Sequence, residues 1–352
     1  MTGAVINGIK EDSLPVEGRS ALAILRGLSL ERVNRLKELM ALGGPGVIGP
    51  QTLATFRQVL ERHEFDLSQA GVSAFKDAHQ LGNTGRQRGV IGPQTAGVYF
   101  DELLKRVAAA RESAVVRKLL AVTGAFEGAS GPRFTNLAGN FDKQGVSFGV
   151  LQWNFGSGTL APLLKRMLRR DPAHFRTILG EDADRFIAVL DADRAAQIRF
   201  AKSINDARDR IVEPWRSRFV RLGQHPAFQD VQMEFAGALV TKARTLAARF
   251  ALRTERGLAL MYDVVVQNGT IVAKTATAIR AARAEQERAL GRALTEREFL
   301  EIMAVAVADA AIPRWRADVL ARKMCIVHGA GIVHGSRVNL DARIGLSDAV
   351  MA

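Results

Sequence analysis

The chain has 352 residues, 47% hydrophobic and 24% charged; that length exceeds one small domain, and that composition excludes a disordered chain. Its single cysteine, Cys325, excludes an intramolecular disulfide framework and any multi-cysteine zinc site. Lys and Arg number 49 against 36 Asp and Glu, a net charge of +13 that favours polyanionic partners; the charge is spread along the chain and aromatics are only 6%, so an anionic surface is favoured over nucleic acid.

Residues 1–25 read as a leader arm broken by Pro15 and Gly18. No basic n-region precedes an apolar stretch there, so no cleaved secretory signal is expected. No run of about 18 apolar residues occurs, so no transmembrane helix is expected either. A repeat follows. GVIGPQT stands at Gly46–Thr52 and again at Gly89–Thr95. Helical apolar spacing precedes each copy, in Val33, Leu36, Leu39, Met40 and in Val72, Phe75, Ala78, Leu81. A second helical pattern follows each copy, so the unit is helix, Gly-rich turn, helix. Gly46 and Gly49, like Gly89 and Gly92, permit positive φ or close backbone approach. Pro50 and Pro93 suit a first helical position. Thr52 and Thr95 sit where a hydroxyl can cap a helix start. The second turn is longer, with Asn83–Arg88 inserted.

These turns resemble the G-x-x-G-P-x-T turn of the peptidoglycan-binding domain found in cell-wall hydrolases. The resemblance covers roughly residues 28–108, sets a domain at 26–108, and implies a small three-helix module that binds bacterial wall through the eight turn residues.

Residues 109–352 read as a second, mainly helical domain. Helices are expected at 160–168, 186–190, 235–250, 257–266, 271–290 and 299–311. No βα alternation occurs, which disfavours Rossmann and barrel folds. The exception is 135–155, Gly- and Asn-rich with β-formers Val146, Phe148, Val150 and Leu151, which reads as a short hairpin. The expected fold class is therefore mainly α: a helical module followed by a larger α+β domain with a small hairpin. The final segment GIVHGSRVNLDARIGL reads as a loop packing back on that domain.

Two carboxylates flank the Gly-rich segment. Glu127 ends an apolar helical stretch beside Phe126, a setting that desolvates a carboxyl, raises its pKa and favours a proton donor. Asp142, fifteen residues on, sits in a polar loop that leaves it ionised. Contrasting carboxylates are what glycosidic bond cleavage needs. Taken alone, each also reads as an ordinary helix-end charge or turn former.

Asp142 to Val150 resembles the D-x-x-G-x-[TS]-x-G-[IV] hairpin of the lysozyme superfamily, and is especially similar to the family 46 chitosanases. LALMYDVVVQNG, 258–269, resembles their L-x-x-L-Y-D-x-x-x-Q-H-G helix, with Asn268 in place of His. The resemblance implies a lysozyme-like domain in which Glu127 is the general acid, Asp142 the general base and Ser147 a holder of the attacking water. Lys143-Gln144 replaces the family's Gly-Arg. Asn140, Gln152 and Asn154 are candidate sugar contacts through their amides. Trp153 offers either a stacking face or a core side chain. Tyr262 and Asp263 read as a structural hydrogen-bonding pair, and Gln267 and Asn268 as residues bordering the cleft.

Chitosan is cationic and suits a +13 chain poorly. The functional expectation is an endolysin-like muramidase acting on bacterial peptidoglycan, with anionic envelope polymers as further partners. A lytic transglycosylase, a chitosanase and a non-catalytic wall-binding or structural protein remain alternatives. The chain is expected to be a monomer, made in the cytoplasm and acting on the wall after release. No cofactor and no metal are expected, since the six histidines form no H-E-x-x-H or Cys/His ligand set. Cys325 reads as a buried inert thiol, and Ser147 lies in no G-x-S-x-G elbow.

Overall fold

The computed structural model describes residues 4–126 and 133–351. The protein is mainly helical and divides into two units, 1–112 and 113–352.

In the first unit, β1 (Val5–Ile6) pairs in parallel with β2 (Val47–Ile48). The helices are α1 (Val16–Gly27), α2 (Leu30–Leu39), α3 (Pro50–Arg62), α4 (Gln69–Ala78) and the start of α5 (Pro93–Ala125). The expected leader arm is thus structured: β1 docks on the first repeat turn, and Ala21, Leu22, Ile24 and Leu25 of α1 are fully buried in the unit's core. Apolar residues spaced three and four apart make that burial possible. The unit therefore holds more helices than the three implied by the resemblance.

The repeat is longer than its seven identical residues. Ser29 and Ser68 cap α2 and α4, accepting the amides of Arg32 and Gly71. Lys37 and Lys76 follow at the same offset, both almost fully buried. Lys37 Nζ donates to the carbonyls of Gly44 and, at 2.7 Å, Val47. Lys76 Nζ donates to Gln87 at 2.5 Å and Val90 at 2.9 Å. Val47 and Val90 are the same residue of the two GVIGPQT copies. An asparagine fastens each turn from a different repeat position: Asn34 Oδ1 accepts the amide of Gly46, and Asn83 Oδ1 that of Gly89. Both of those glycines have positive φ. Gly49 does not: it is extended at φ −105° and serves as the N-cap of α3. Pro50 and Pro93 open α3 and α5. Thr52 Oγ1 accepts from the Gly49 amide at 3.5 Å. The lysine spacing is 39 and the valine spacing 43, so the second turn carries four extra residues, not six; a short 3₁₀ turn at Gly85–Gln87 takes them up.

The second unit begins within α5. A three-stranded antiparallel sheet follows, of β3 (Leu137–Ala138), β4 (Ser147–Phe148) and β5 (Trp153–Asn154). Then come α6 (Leu160–Arg170), α7 (Pro172–Leu179), α8 (Ala183–Asp191), α9 (Arg194–Ser203), α10 (Trp215–Gln224) and α11 (Pro226–Arg249). Next are α12 (Glu255–Asn268), α13 (Ala273–Leu290), α14 (Glu296–Asp309) and α15 (Arg316–His328). The chain closes with β6 (Ala330–Val333), β7 (Ser336–Asn339) and α16 (Leu340–Ile344).

Two apolar clusters build this unit. One packs β4 and β5 on α6–α10 around Phe148, Phe186 and Phe228. The other packs the end of α5 against α12, α14 and α15. α11 serves both, through Phe228 and Val231 at its start and Ala236, Val240 and Ala243 further on. The tail is not a loop. β6 and β7 form a hairpin whose turn residues, His334 and Gly335, both have positive φ, as a two-residue hairpin turn of the primed type requires. Arg256 on α12, almost fully buried, then secures the tail. Its Nε bonds Asp348 at 2.7 Å, while Nη1 and Nη2 reach the Ile326 carbonyl and Asp341.

Candidate functional site

The segment carrying Asp142 is held by its own polar side chains. Asn140 is 2% exposed: its Oδ1 accepts the Gly145 amide at 2.9 Å, and its Nδ2 faces Asp209 at 3.4 Å. Asn140 therefore closes the loop internally and offers no amide to a sugar. Lys143 pairs with Asp209 at 2.9 Å. Gly145 and Gly149, the two glycines of the motif, both have φ above +80°. At Gly149 a Cβ would stand 2.5 Å from Gln232 Oε1, so the motif spells a backbone path that only glycine follows easily. Gln232 on α11, fully buried, accepts the Val150 amide and donates to the Phe134 carbonyl, both at 3.0 Å. No sequence pattern singled it out; a glutamine among apolar helical positions was the available signal.

Asp142 is exposed, and its Oδ1 accepts the Gln144 amide at 3.0 Å, which leaves the second oxygen to solvent. Ser147 lies in β4, beside Ala138 on β3 and Asn154 on β5. Since side chains alternate along a strand, these three occupy one face. Phe148, Leu137 and Trp153 take the other, which packs on the helices. Trp153 is thus a core residue and not a stacking platform. Gln152 donates to the carbonyls of Gly149 and Asn136, and Asn154 accepts the Ser157 amide; both hold turns. Ser147 is itself 5% exposed.

A groove of about 640 Å³ runs beside β3, lined by Ala138, Phe141, Asp209 and Arg210, with Arg133, Arg208 and Arg216. Phe141, adjacent to Asp142, is 68% exposed. Arg133, Arg208 and Arg216 are exposed, and among the described residues their guanidinium groups make no hydrogen bond or ion pair. The sequence reading took none of these for a site.

Glu127 lies outside the described residues. Phe126, which precedes it, is buried, and the Arg322 guanidinium lies 4.6 Å above its ring. His334, at the tip of the β6–β7 hairpin, contacts the Phe126 carbonyl through Nδ1 at 3.2 Å and Asp318 through Nε2 at 2.5 Å. Arg322 also belongs to a buried charge group. Asp263 on α12, 0% exposed, pairs with Arg322 at 2.6 Å and Lys323 at 3.0 Å. Burial acts to raise the Asp263 pKa, but the two cations outweigh it and hold the carboxyl below its ordinary range. Tyr262 is not its partner: the phenol oxygen is buried with no hydrogen bond among the described residues. Lys323 also donates to Gln267 Oε1 at 2.8 Å, and Gln267 donates to Asp318 at 3.3 Å. Gln267 and Asn268 line a separate cavity of about 550 Å³ with Thr270, Trp315 and Asp318. Gln267 and Asn268 thus line a hollow that none of the sheet candidates lines, and the groove beside β3 is lined by Phe141 but not by Asp142 or Ser147.

The eight repeat-turn candidates are structural in their contacts. Thr52 and Thr95 are buried, and the glycines and prolines shape the turns described above. Cys325 is 1% exposed, and burial pushes its thiol up to about 11. Asp171, His174 and His225, on helix ends, form the one His/Asp group with metal-ligand spacing among the described residues. Comparison of the chain with protein-family models, with curated proteins and with solved structures finds no match.

Proposed function

We propose that the chain is a glycoside hydrolase that cuts the glycan strands of bacterial peptidoglycan, with Glu127 as general acid and Asp142 as general base. In this reading Glu127 gives its proton to the glycosidic oxygen as the bond to the anomeric carbon breaks. The Asp142 carboxylate takes a proton from the water that attacks that carbon on the opposite face. Inverting pairs of this kind stand roughly 6.5–9.5 Å apart to leave room for the water. The N-terminal repeat unit acts as the wall-binding module in the same reading.

The observation that carries the proposal is the setting of Asp142. It is an exposed carboxylate on a loop locked by Asn140 and Lys143, next to exposed Phe141, and a groove nearby bears three arginines whose guanidinium groups make no hydrogen bond or ion pair among the described residues. An aromatic face beside a carboxylate suits a pyranose ring. The arginines suit a glycan with carboxylate substituents and repel a polyamine such as chitosan. A muramyl strand fits that chemistry.

A second reading has one observation in its favour. The Gln144 amide already occupies one oxygen of Asp142, as in an ordinary Asx turn. A lytic transglycosylase needs the acid but no water-activating base, and would tolerate such an employment.

Digestion of purified peptidoglycan, with products read by mass spectrometry after borohydride reduction, separates the readings. Wild type should yield reducible muramic ends. Glu127→Gln and Asp142→Asn should each lose on the order of 100-fold or more in rate, the usual worth of a general acid or base. Anhydro ends with a mild Asp142→Asn effect would establish the transglycosylase. Absence of any glycan cleavage by wild type would overturn both.

A further inference from the structure

Three side chains with metal-ligand chemistry converge in the second unit on helix ends. Asp171 ends α6 and caps α7: its Oδ1 accepts the His174 amide at 3.1 Å. Its Oδ2 is left to face two imidazoles, His174 Nδ1 at 2.9 Å and His225 Nε2 at 3.9 Å. His225 ends α10 and immediately precedes Pro226, the first residue of α11. All three ligand atoms lie within 4.8 Å of one another, and the two imidazole rings are 4.7 Å apart.

We propose that Asp171, His174 and His225 form a binding site for a divalent transition metal, with Zn²⁺ the ion it suits best, which clasps the α6–α7 corner to the α10–α11 corner.

The first support is spacing. Zn²⁺ holds nitrogen and carboxylate oxygen at about 2.0–2.2 Å in tetrahedral array, which sets neighbouring ligand atoms roughly 3.3–3.5 Å apart. The separations of 2.9 and 3.9 Å from Asp171 bracket that value, so small side-chain rotations would suffice to bring both imidazoles onto one ion. The second support is His225 itself. Its side chain is 20% exposed, yet neither ring nitrogen makes a hydrogen bond among the described residues: Nδ1 is buried without a partner, and 3.9 Å from Nε2 to Asp171 is too long for one. Nε2 therefore stands within reach of an ion that Asp171 and His174 could also hold.

Donor type selects the metal. Two imidazole nitrogens and one carboxylate suit Zn²⁺ and its neighbours, whereas Mg²⁺ and Ca²⁺ prefer all-oxygen sites. The neighbouring cation does not compete for Asp171: Arg170 is engaged by Asp230 at 3.2 Å. Three protein ligands leave a fourth position for water, and His174, largely exposed, leaves the site open to solvent. The proposed site goes beyond the expectation of no metal, which rested on sequence motifs alone. It escaped the sequence reading because His174 and His225 are 51 residues apart and share no motif. It requires neither Glu127 nor Asp142.

The test uses the full-length chain without a histidine tag, stripped with a chelator and dialysed. Zinc chloride is titrated calorimetrically, and melting is followed with and without zinc. The expected result is one saturable equivalent and a Tm rise of about 5–10 °C at zinc 100-fold above its Kd. His225→Ala and His174→Ala should each weaken binding on the order of 100-fold and abolish the Tm rise. His174→Ala removes an exposed ring, so it keeps the test valid if His225→Ala fails to fold. Absence of a one-equivalent site in wild type, or equal zinc binding by wild type and His174→Ala, would overturn the proposal.

Discussion

Asp263 keeps its charge although it is fully buried, because Arg322 and Lys323 stand at 2.6 and 3.0 Å. Removing that charge leaves two cations buried without compensation, which costs about 3–5 kcal/mol. Asp263→Asn should therefore destabilise the chain by that amount at pH 7 in urea unfolding. The pH dependence follows from the direction of the shift. The folded pKa lies below the ordinary carboxylate value of about 3.9. The stability it contributes is thus fully present above about pH 4 and is lost as pH falls through the depressed folded pKa. The gap between wild type and Asp263→Asn should shrink below pH 4, and a constant gap would refute the assignment. The sequence reading placed Asp263 in a structural role but gave it the wrong partner. The right ones were legible. Val319, Arg322, Lys323 and Ile326 recur at i, i+3, i+4 and i+7, so two basic residues occupy the apolar stripe of α15. Charged side chains at core positions demand a buried counter-charge, and Asp263 on an otherwise apolar helix was the candidate.

The same signal runs through the repeat. Val33, Leu36, Lys37 and Met40, and Val72, Phe75, Lys76 and His79, put a lysine at the same apolar phase of α2 and α4. Each ammonium then donates to the carbonyls of the following turn. Lys37→Met keeps the length of the side chain but orphans two carbonyls, a cost of about 1–3 kcal/mol. Lys76→Met should cost about the same. Amide exchange in residues 43–48 or 86–91, respectively, should accelerate in these variants, whereas Lys105→Met, at a solvent-exposed position, should change neither. Protection unchanged by Lys37→Met would refute the anchoring role. The helix–turn–helix pattern was legible because GVIGPQT recurs intact; a β segment was legible from the β-formers around Gly145 and Gly149, but the expected hairpin is a three-stranded sheet with Val150 and Leu151 in its turn. α1 was missed because Pro15 and Gly18 read as breakers, although proline is well tolerated just before a helix. The β6–β7 hairpin was missed because its turn uses His334-Gly335 and not Asn-Gly. The candidate site was legible only where spacing is local. Asp142 and its loop follow from one motif, whereas Arg133, Arg208 and Arg216 meet only in the fold.

At the scale of the whole molecule, the net +13 falls mostly on the second unit, since residues 1–112 carry 14 Lys and Arg against 12 Asp and Glu. Many individual cations are paired locally. Arg166 and Arg170 face Glu234 and Asp230, Arg218 faces Asp182, and Arg256 faces Asp341 and Asp348. Cations without such a partner among the described residues, such as Arg133, Arg208 and Arg216, act through solvent. Forces of that kind fall off over about 10 Å at 0.1 M salt and about 3 Å at 1 M. A wall-directed role for the charge therefore predicts that co-sedimentation with purified walls weakens several-fold between about 50 and 500 mM NaCl. Walls stripped of their anionic polymers should show weaker binding at low salt and a flatter salt response. Recognition by the repeat unit alone would instead be nearly salt-independent, because the geometry its two copies share is spent on internal contacts of Lys37, Lys76 and the turn carbonyls and not on exposed cations. Binding that survives 500 mM NaCl unchanged would assign wall attachment to shape and hydrogen bonding, and would leave the net charge with the groove beside Asp142 as its principal functional site.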